Sequence, residues 1–369
     1  MLVAPTSITY AFFITVALGL GYWLTGRIWC YARDAGILDI PNGRSSHIKA
    51  TPRGGGLSFG LIFLGSCTVF FWLLPESRAL WVALLGGGAL IVAIGWLDDR
   101  YDVVYRLRLA VHALAAAWVV FWLGGLGQVE LGVATLPLGV LGSLLAWLGV
   151  IWLINLYNFM DGIDGLAAGQ AVVVSLAAGS LLLAAGYWPL ALACWTLTAA
   201  TAGFLYWNWP PAKIFMGDVG SGLLGFVFAA LALYTEGRGM MPLLLWILLL
   251  APFIVDATAT LLYRIAKREN WLEAHCSHAY QRAVQRGYSH LQVTSCVLLI
   301  DGVLVLLAYL AWRWPAALLP AVSVVLMALF LLWHHYTVVR VERVERVEAV
   351  DRGVGRLRLA SRDKVALKK

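Results

Sequence analysis

The sequence predicts an all-α integral membrane protein, a polytopic bundle of about eleven transmembrane helices, with ten as the other admissible count. Three observations carry this. Hydrophobic residues make up 61% of the 369-residue chain and charged residues 13%, whereas soluble domains run to about 45–50% apolar and about 25% charged. Mean hydropathy is +0.81. Uncharged or nearly uncharged runs recur along the chain at close to the roughly 20 residues that cross a hydrocarbon core of about 30 Å.

The first run, residues 8–26, follows a short polar stretch without a charged leader or a convincing cleavage site, and is read as a span rather than a signal peptide. Runs at 57–74 and 80–97 are separated by the short segment 75–79. Those at 109–127, 137–156, 166–185 and 188–206 come next, then a short eighth at 223–235 and a long ninth at 240–263. Runs at 293–312 and 315–336 close a membrane domain expected over residues 1–336. Residues 337–369 form a charged tail, Val alternating with Arg and Glu, expected to be cytoplasmic and drawn to anionic headgroups or solvated. No internal repeat is evident.

Orientation follows from basic residues, which resist translocation and gather on the cytoplasmic side. Alternate loops starting after the first run hold fourteen Lys and Arg, and the opposite loops hold only Arg78, Arg238 and Arg313. The N-terminus is therefore expected outside the cell and the tail inside. The same asymmetry accounts for the net charge of +7, so nucleic-acid binding is not expected. Cys30, Cys67, Cys194, Cys276 and Cys296 are too scattered for a zinc or redox motif.

Loops on the basic side are dense in Asp, Asn, His and Gly, whereas the opposite loops are short and plain. Asp98 and Asp99, with Asp102 a turn later, stand where the third run meets the cytoplasm. Adjacent carboxylates are costly at a membrane boundary unless a cation or water neutralises them, and Mg²⁺ bridging to phosphate is the usual partner. Asn155, Asn158, Asp161 and Asp164 recur every three residues and are expected along one side of a helix end. Capping explains one such residue, not four. Asp218, between Gly217 and Gly220 at a helix start, suits a metal ligand beside N–H groups that meet phosphate. A loop from Arg264 through His275 and His278 to Arg282 offers cations for a pyrophosphate. Arg44, His47, Lys49 and Arg53 precede three glycines before the second run. Asp256 and Asp301, inside the ninth and tenth runs, are expensive in hydrocarbon and suggest function or helix–helix hydrogen bonding.

DDRYD, NLYNFMDGIDGL, FMGDVGSGLLG, PNGRSSH…TPRGGG and HCSHAYQR together resemble the polyprenyl-phosphate N-acetylhexosamine-1-phosphate transferase family over about residues 39–286. The pattern looks closer to enzymes that initiate O-antigen or enterobacterial common antigen lipids than to the muramyl-pentapeptide transferase of peptidoglycan synthesis. Asp102 stands where the latter usually has Lys, and the Arg53 loop points the same way. Ser277 departs from the family's middle histidine.

The resemblance implies transfer of a sugar 1-phosphate from a UDP-N-acetylhexosamine to undecaprenyl phosphate in the bacterial inner membrane, with release of UMP. It implies Mg²⁺, with Mn²⁺ as the alternative, and leaves a homodimer as the candidate assembly. By matched position, Asp218 looks like the principal metal ligand with Asp98 beside it. Asp98, Asp99, Asp161 and Asp164 look like the catalytic acids. Asn155, Asn158, Asn208, Phe215, Lys49, Arg53, Arg264, His275, His278 and Arg282 look like substrate-binding positions, with Phe215 stacking on the uracil. A transporter is the rival from another class. It requires polar groups near the bilayer midplane and internal duplication, whereas these acids gather at one face.

Overall fold

A computed structural model of the protein describes residues 7–41, 49–269 and 276–339. Among the described residues the chain is helical: α1 (Ser7–Asp34), α2 (Leu57–Leu73), α3 (Arg78–Tyr101), α4 (Tyr105–Leu123), α5 (Gly139–Phe159), α6 (Leu166–Ala184), α7 (Trp188–Asn208), α8 (Asp218–Gly237), α9 (Leu243–Leu249), α10 (Ala251–Ala266), α11 (Ala279–Gln285), α12 (His290–Arg313) and α13 (Leu318–His334). Two small antiparallel ladders accompany them, β1 (Leu38–Asp39) with β2 (Thr51–Pro52), and β3 (Gln128–Glu130) with β4 (Thr135–Pro137).

Every apolar run becomes a helix, but not every helix is a simple crossing. Nine described helices are long and apolar enough to span a membrane, and the pair α9 and α10 makes a tenth if counted as one. That pair bends by 80°, which corrects the expectation of one continuous ninth span. Pro252, at the start of α10, lacks the N–H that would continue the α9 ladder. α2 has 17 residues, about 25 Å at 1.5 Å per residue and short of a full hydrocarbon core. The eighth span is not short: α8 runs 20 residues because its polar Asp218–Gly222 segment is already helical.

The protein is a multi-pass membrane protein organised around α8, which is buried along nearly its whole length. α3 and α5 flank it, α4 packs outside α3, and α1, α7, α6 and α12 form a second row of neighbours. Large apolar side chains such as Phe121, Val140 and Leu299 point outward, as a surface facing lipid tails requires.

Hydrophobic burial adds little between helices already in hydrocarbon, so close backbone packing over small residues does the joining. A Cβ on Gly56 would lie 2.3 Å from the Gly220 Cα, one on Gly95 2.5 Å from the Val219 backbone, and one on Gly225 2.3 Å from the Leu153 carbonyl oxygen. These contacts seat α8 against α2, α3 and α5. Gly56→Ala is therefore expected to lower the thermal midpoint in detergent by about 3–8 °C through overpacking. A melt within about 1 °C of the parent protein would mean the helices part without penalty.

At the end of α8 away from the acidic loops, Glu236 accepts hydrogen bonds from the Glu130 and Leu243 backbone N–H groups at 2.7 and 2.5 Å. This ties the β3–β4 hairpin and α9 to the central helix.

Candidate active site

The opposite end of α8 gathers the acidic motifs. The first N–H groups of any helix lack partners within it, and at the start of α8 they are met from another helix. The Asp218 N–H donates to Asp99 Oδ1 at 2.9 Å and the Val219 N–H to Asp99 Oδ2 at 3.3 Å. Gly217, at φ 76°, lets the chain turn over this carboxylate, because a Cβ there would sit 2.3 Å from Asp99 Oδ2. Asp99 is 2% exposed. The DD pair thus divides: Asp99 faces backbone beneath Asp218, not an open space where a lipid phosphate could stand.

Asp98 faces the other way. Its Oδ1 accepts from the Val103 N–H at 2.8 Å, and its Oδ2 meets Arg108 Nη1 at 2.6 Å. The same Nη1 lies 2.5 Å from Asp218 Oδ2. Asn158 Nδ2 donates to Asp218 Oδ1 at 2.8 Å and to Ser221 Oγ at 3.1 Å. Carboxylates from α3 and α8 therefore bracket one cationic group from the first turn of α4, beside an amide from α5. In the sequence Arg108 is one basic loop residue among several. Its place at the start of the fourth span was the one signal available, and the pairing spans 110 residues of chain to Asp218.

The four polar residues of the Asn155–Asp164 motif do not share one face. α5 ends at Phe159, so Asp161 and Asp164 belong to a loop. Asn155, a turn deeper, donates to the Ile151 carbonyl at 2.7 Å, in its own helix. Asp161 keeps some exposed surface and accepts no hydrogen bond among the described residues. Burial pushes its carboxyl well above the usual carboxylate range, and the negative charges of Asp218, Asp99 and Asp164 add to the rise.

Asp164 is a clamp. Its Oδ2 accepts from the Ala212 N–H at 3.0 Å, its Oδ1 lies 3.3 Å from His290 Nδ1, and its carbonyl accepts from Thr294 Oγ1 at 2.8 Å. Asn208 acts likewise: Oδ1 accepts from the Gly165 N–H and Nδ2 donates to the Ile214 carbonyl, both at 3.0 Å. Asn208 is 3% exposed and each end of its amide makes one such bond, so it joins the α6 start to the loop after α7. Phe215 is half-buried, and its backbone pairs with Pro52 and Gly55 at 2.8 and 2.9 Å.

The basic residues also separate. Arg53 Nε donates to the Asp99 carbonyl at 2.6 Å, while Nη2 reaches the Asp98 carbonyl at 3.3 Å and Asp102 Oδ1 at 3.0 Å. It closes the C-terminal end of α3, where Asp102 turns left-handed at φ 50°. Lys49 is exposed and forms no ion pair among the described residues. Arg264 is buried with its Nε on Glu269 Oε2 at 2.9 Å, and Arg282 Nε donates to the Ser277 carbonyl at 3.2 Å. His275, like Arg44 and His47, lies outside the described residues.

His278 is 3% exposed, stacks on Tyr280 with Phe159 tilted against it, and sets Nδ1 3.3 Å from Asp256 Oδ1. Asp256 also accepts from the Ala279 and Tyr280 N–H groups at 2.9 and 3.3 Å. The intramembrane Asp256 thus docks α11 onto α10. Tyr280 Oη in turn donates to the Phe159 carbonyl at 2.8 Å, joining α11 to the Asp161 loop. The placement of His278 makes it part of this joint instead of a free substrate contact.

Asp98, Asp218, Asn158, Arg108 and Asp161 therefore lie together at one end of the bundle, at the membrane boundary. Among the described residues, no three acidic, histidine or cysteine side chains converge into a full metal cage. Asp98 and Asp218, which share the Arg108 cation, are the described carboxylates to which a hard divalent ion would bind, with phosphate and water as its other ligands.

Residues 81–236 match the model of glycosyl transferase family 4. The chain is 31% identical over 327 residues, 79% of each protein, to a decaprenyl-phosphate N-acetylglucosaminephosphotransferase of Mycobacterium tuberculosis. It is 31% identical to a probable undecaprenyl-phosphate N-acetylglucosaminyl 1-phosphate transferase of Bacillus subtilis over 269 residues, 69% of this chain and 72% of the relative. Identity is 30% to an undecaprenyl-phosphate alpha-N-acetylglucosaminyl 1-phosphate transferase of Escherichia coli over 295 residues, 76% and 78% of the two chains.

Proposed function

Because this chain belongs to glycosyl transferase family 4, we propose that it transfers N-acetylglucosamine 1-phosphate, or the 1-phosphate of a closely related N-acetylhexosamine, from a UDP-sugar to undecaprenyl phosphate. UMP is released, and the lipid-linked sugar begins a cell-surface polysaccharide of the O-antigen kind. The membrane is the bacterial inner membrane, with the acidic end of α8 on the cytoplasmic face. Arg53, Arg100, Arg106, Arg108 and Lys213 lie at that end, in keeping with a basic cytoplasmic side.

The observation that carries the reading is the Asp98–Arg108–Asp218 bridge beside Asn158 and Asp161. Donor diphosphate and acceptor phosphate repel one another, so the chemistry is mostly positioning and charge compensation. An oxygen of the lipid phosphate attacks the β-phosphorus, and the bond from that phosphorus to the bridging oxygen breaks, leaving UMP. A phosphate monoester has its second pKa near about 6, so the acceptor is already largely dianionic and needs little help from a base. Arg108 presents its guanidinium to the phosphates while Asp98 and Asp218 hold it in place. Asn158 fixes the orientation of the Asp218 carboxylate. Mg²⁺, or Mn²⁺ in its place, would share the Asp218 and Asp98 carboxylates with Arg108 and supply charge neutralisation for both phosphate groups.

The test is UMP release by the purified chain with undecaprenyl phosphate and a panel of UDP-sugars, with and without EDTA. UMP is expected only with lipid phosphate, a UDP-N-acetylhexosamine and free divalent metal all present. Silence with every such donor would remove the donor class, and turnover unaffected by EDTA would remove the metal. The metal competes with a proton on Asp161, whose carboxyl is raised by burial and neighbouring negative charge. The Mg²⁺ concentration for half-activation should therefore fall as pH rises above the ordinary carboxylate range. A flat dependence would take Asp161 out of the metal's surroundings.

A further inference from the structure

Midway along α12, about 16 Å from its first residue at 1.5 Å per residue, Asp301 is 1% exposed and neither carboxylate oxygen has a hydrogen-bond partner. Nothing in the site described above uses it. α6 runs alongside in the same direction: Thr294 bonds the Asp164 carbonyl, and Leu298 lies 3.1 Å from a Cβ built on Gly169. Asp301 lies one turn beyond Leu298 and Gln170 is the neighbour of Gly169, so the two helices bring these side chains into one buried stretch, where Gln170 is the α6 side chain that bears on the Asp301 carboxyl. Gln170 is itself fully buried, with both amide atoms unpartnered. Tyr157 of α5 has its hydroxyl committed to the Ala167 carbonyl of α6 at 3.3 Å. No cation among the described residues pairs with Asp301.

An ionised carboxylate in hydrocarbon without a counter-charge is strongly disfavoured. A neutral acid beside a primary amide is complementary at every atom. The acid O–H donates to the amide oxygen, the amide N–H donates to the acid carbonyl, and a small side-chain rotation at each residue closes both bonds.

We infer that Asp301 is a positioning residue, a neutral carboxylic acid clasped to Gln170 that holds α12 in register with α6. The object held is the loop between α5 and α6. His290 and Thr294, at the start of α12, grip Asp164, and Gly165 at the start of α6 is bonded to Asn208. A slip of α12 along α6 would therefore displace Asp164 and, with it, Asp161. This last link rests on the proposed transferase reaction, whereas the clasp itself does not.

The experiment compares Asp301→Asn, Asp301→Leu, Gln170→Leu and the Leu/Leu double variant of the full chain in detergent. Either single Leu variant orphans one buried partner and should lower the thermal midpoint by about 3–8 °C, while the double variant recovers most of that loss. Asp301→Asn keeps an amide partner and should melt within about 2 °C of the parent. Infrared spectra at neutral pH should show a carboxylic-acid C=O band in the parent that Asp301→Asn lacks. In UMP release, Asp301→Leu should lower kcat about tenfold, as a displaced reactive loop would, with KM for the donor within about twofold, and Asn should restore kcat.

An Asn variant as damaged as Leu would mean that a charged carboxylate is needed. Additive losses in the double variant would mean that the two residues do not pair. An unchanged infrared band would mean that Asp301 is ionised. Each overturns the inference, and the melting and infrared results do so even if no UMP is formed.

Discussion

Asp218→Asn should abolish UMP release, by about 10³-fold or more, while circular dichroism and the thermal midpoint stay those of the parent. The expectation follows from how Asp218 is held. Its Oδ2 shares the Arg108 cation with Asp98, and its Oδ1 accepts from Asn158. An amide at 218 keeps the shape but loses the negative charge, and one of its two ends must then present N–H groups to Arg108 or Asn158, which are themselves donors. Folding is spared because Asp99 caps the backbone of α8 regardless of the side chain at 218. Steady-state UMP release, read beside a melting curve, checks both halves. Turnover within tenfold of the parent would remove Asp218 from the reaction, and an unfolded variant would show that the carboxylate serves structure.

Arg108→Met should lower kcat by about 10²–10³-fold, the usual loss when one preorganised donor to a developing charge is removed. Arg108 Nη1 is committed to the two carboxylates, but its Nε and Nη2 have no partner among the described residues. The side chain is 31% exposed. It is therefore both anchored and open, as a group that grips a phosphate must be. Arg108→Lys should recover only part of the loss, because an ammonium is a point charge without the planar fork that spans two acceptors. Separate kcat and KM values for the donor check this. A Met variant within about twofold of the parent on both would show that the guanidinium only neutralises its carboxylates.

The two predictions draw on different kinds of information. Asp218 and Asp98 were legible in the sequence because carboxylates at a membrane boundary are expensive and need a compensating partner. Arg108 was not, because one more Arg in a basic loop carries no mark of what it faces. Asp99, Asp164, Asn208 and Arg53 show the converse limit of a sequence pattern. Each is of a type that suits a ligand, and each bonds backbone groups at a helix end or in a neighbouring loop in this structure. At the rim of a helical bundle many N–H and C=O groups are left without partners. The side chains that satisfy them are the same Asp, Asn and Arg types that bind phosphate and metal, so composition does not separate the two uses.

What the sequence by itself determined about this protein is the membrane-spanning helical fold, the extent of most of its spans and the loops that carry the polar motifs. Transfer of a segment into hydrocarbon depends on that segment's own residues. The tertiary structure alone decided that the ninth apolar run bends by 80°, that Asp99 supports Asp218, and that Arg108 stands between Asp98 and Asp218. Those outcomes depend on which distant groups packing brings within about 3 Å of one another, and a linear pattern of residue types does not encode distance.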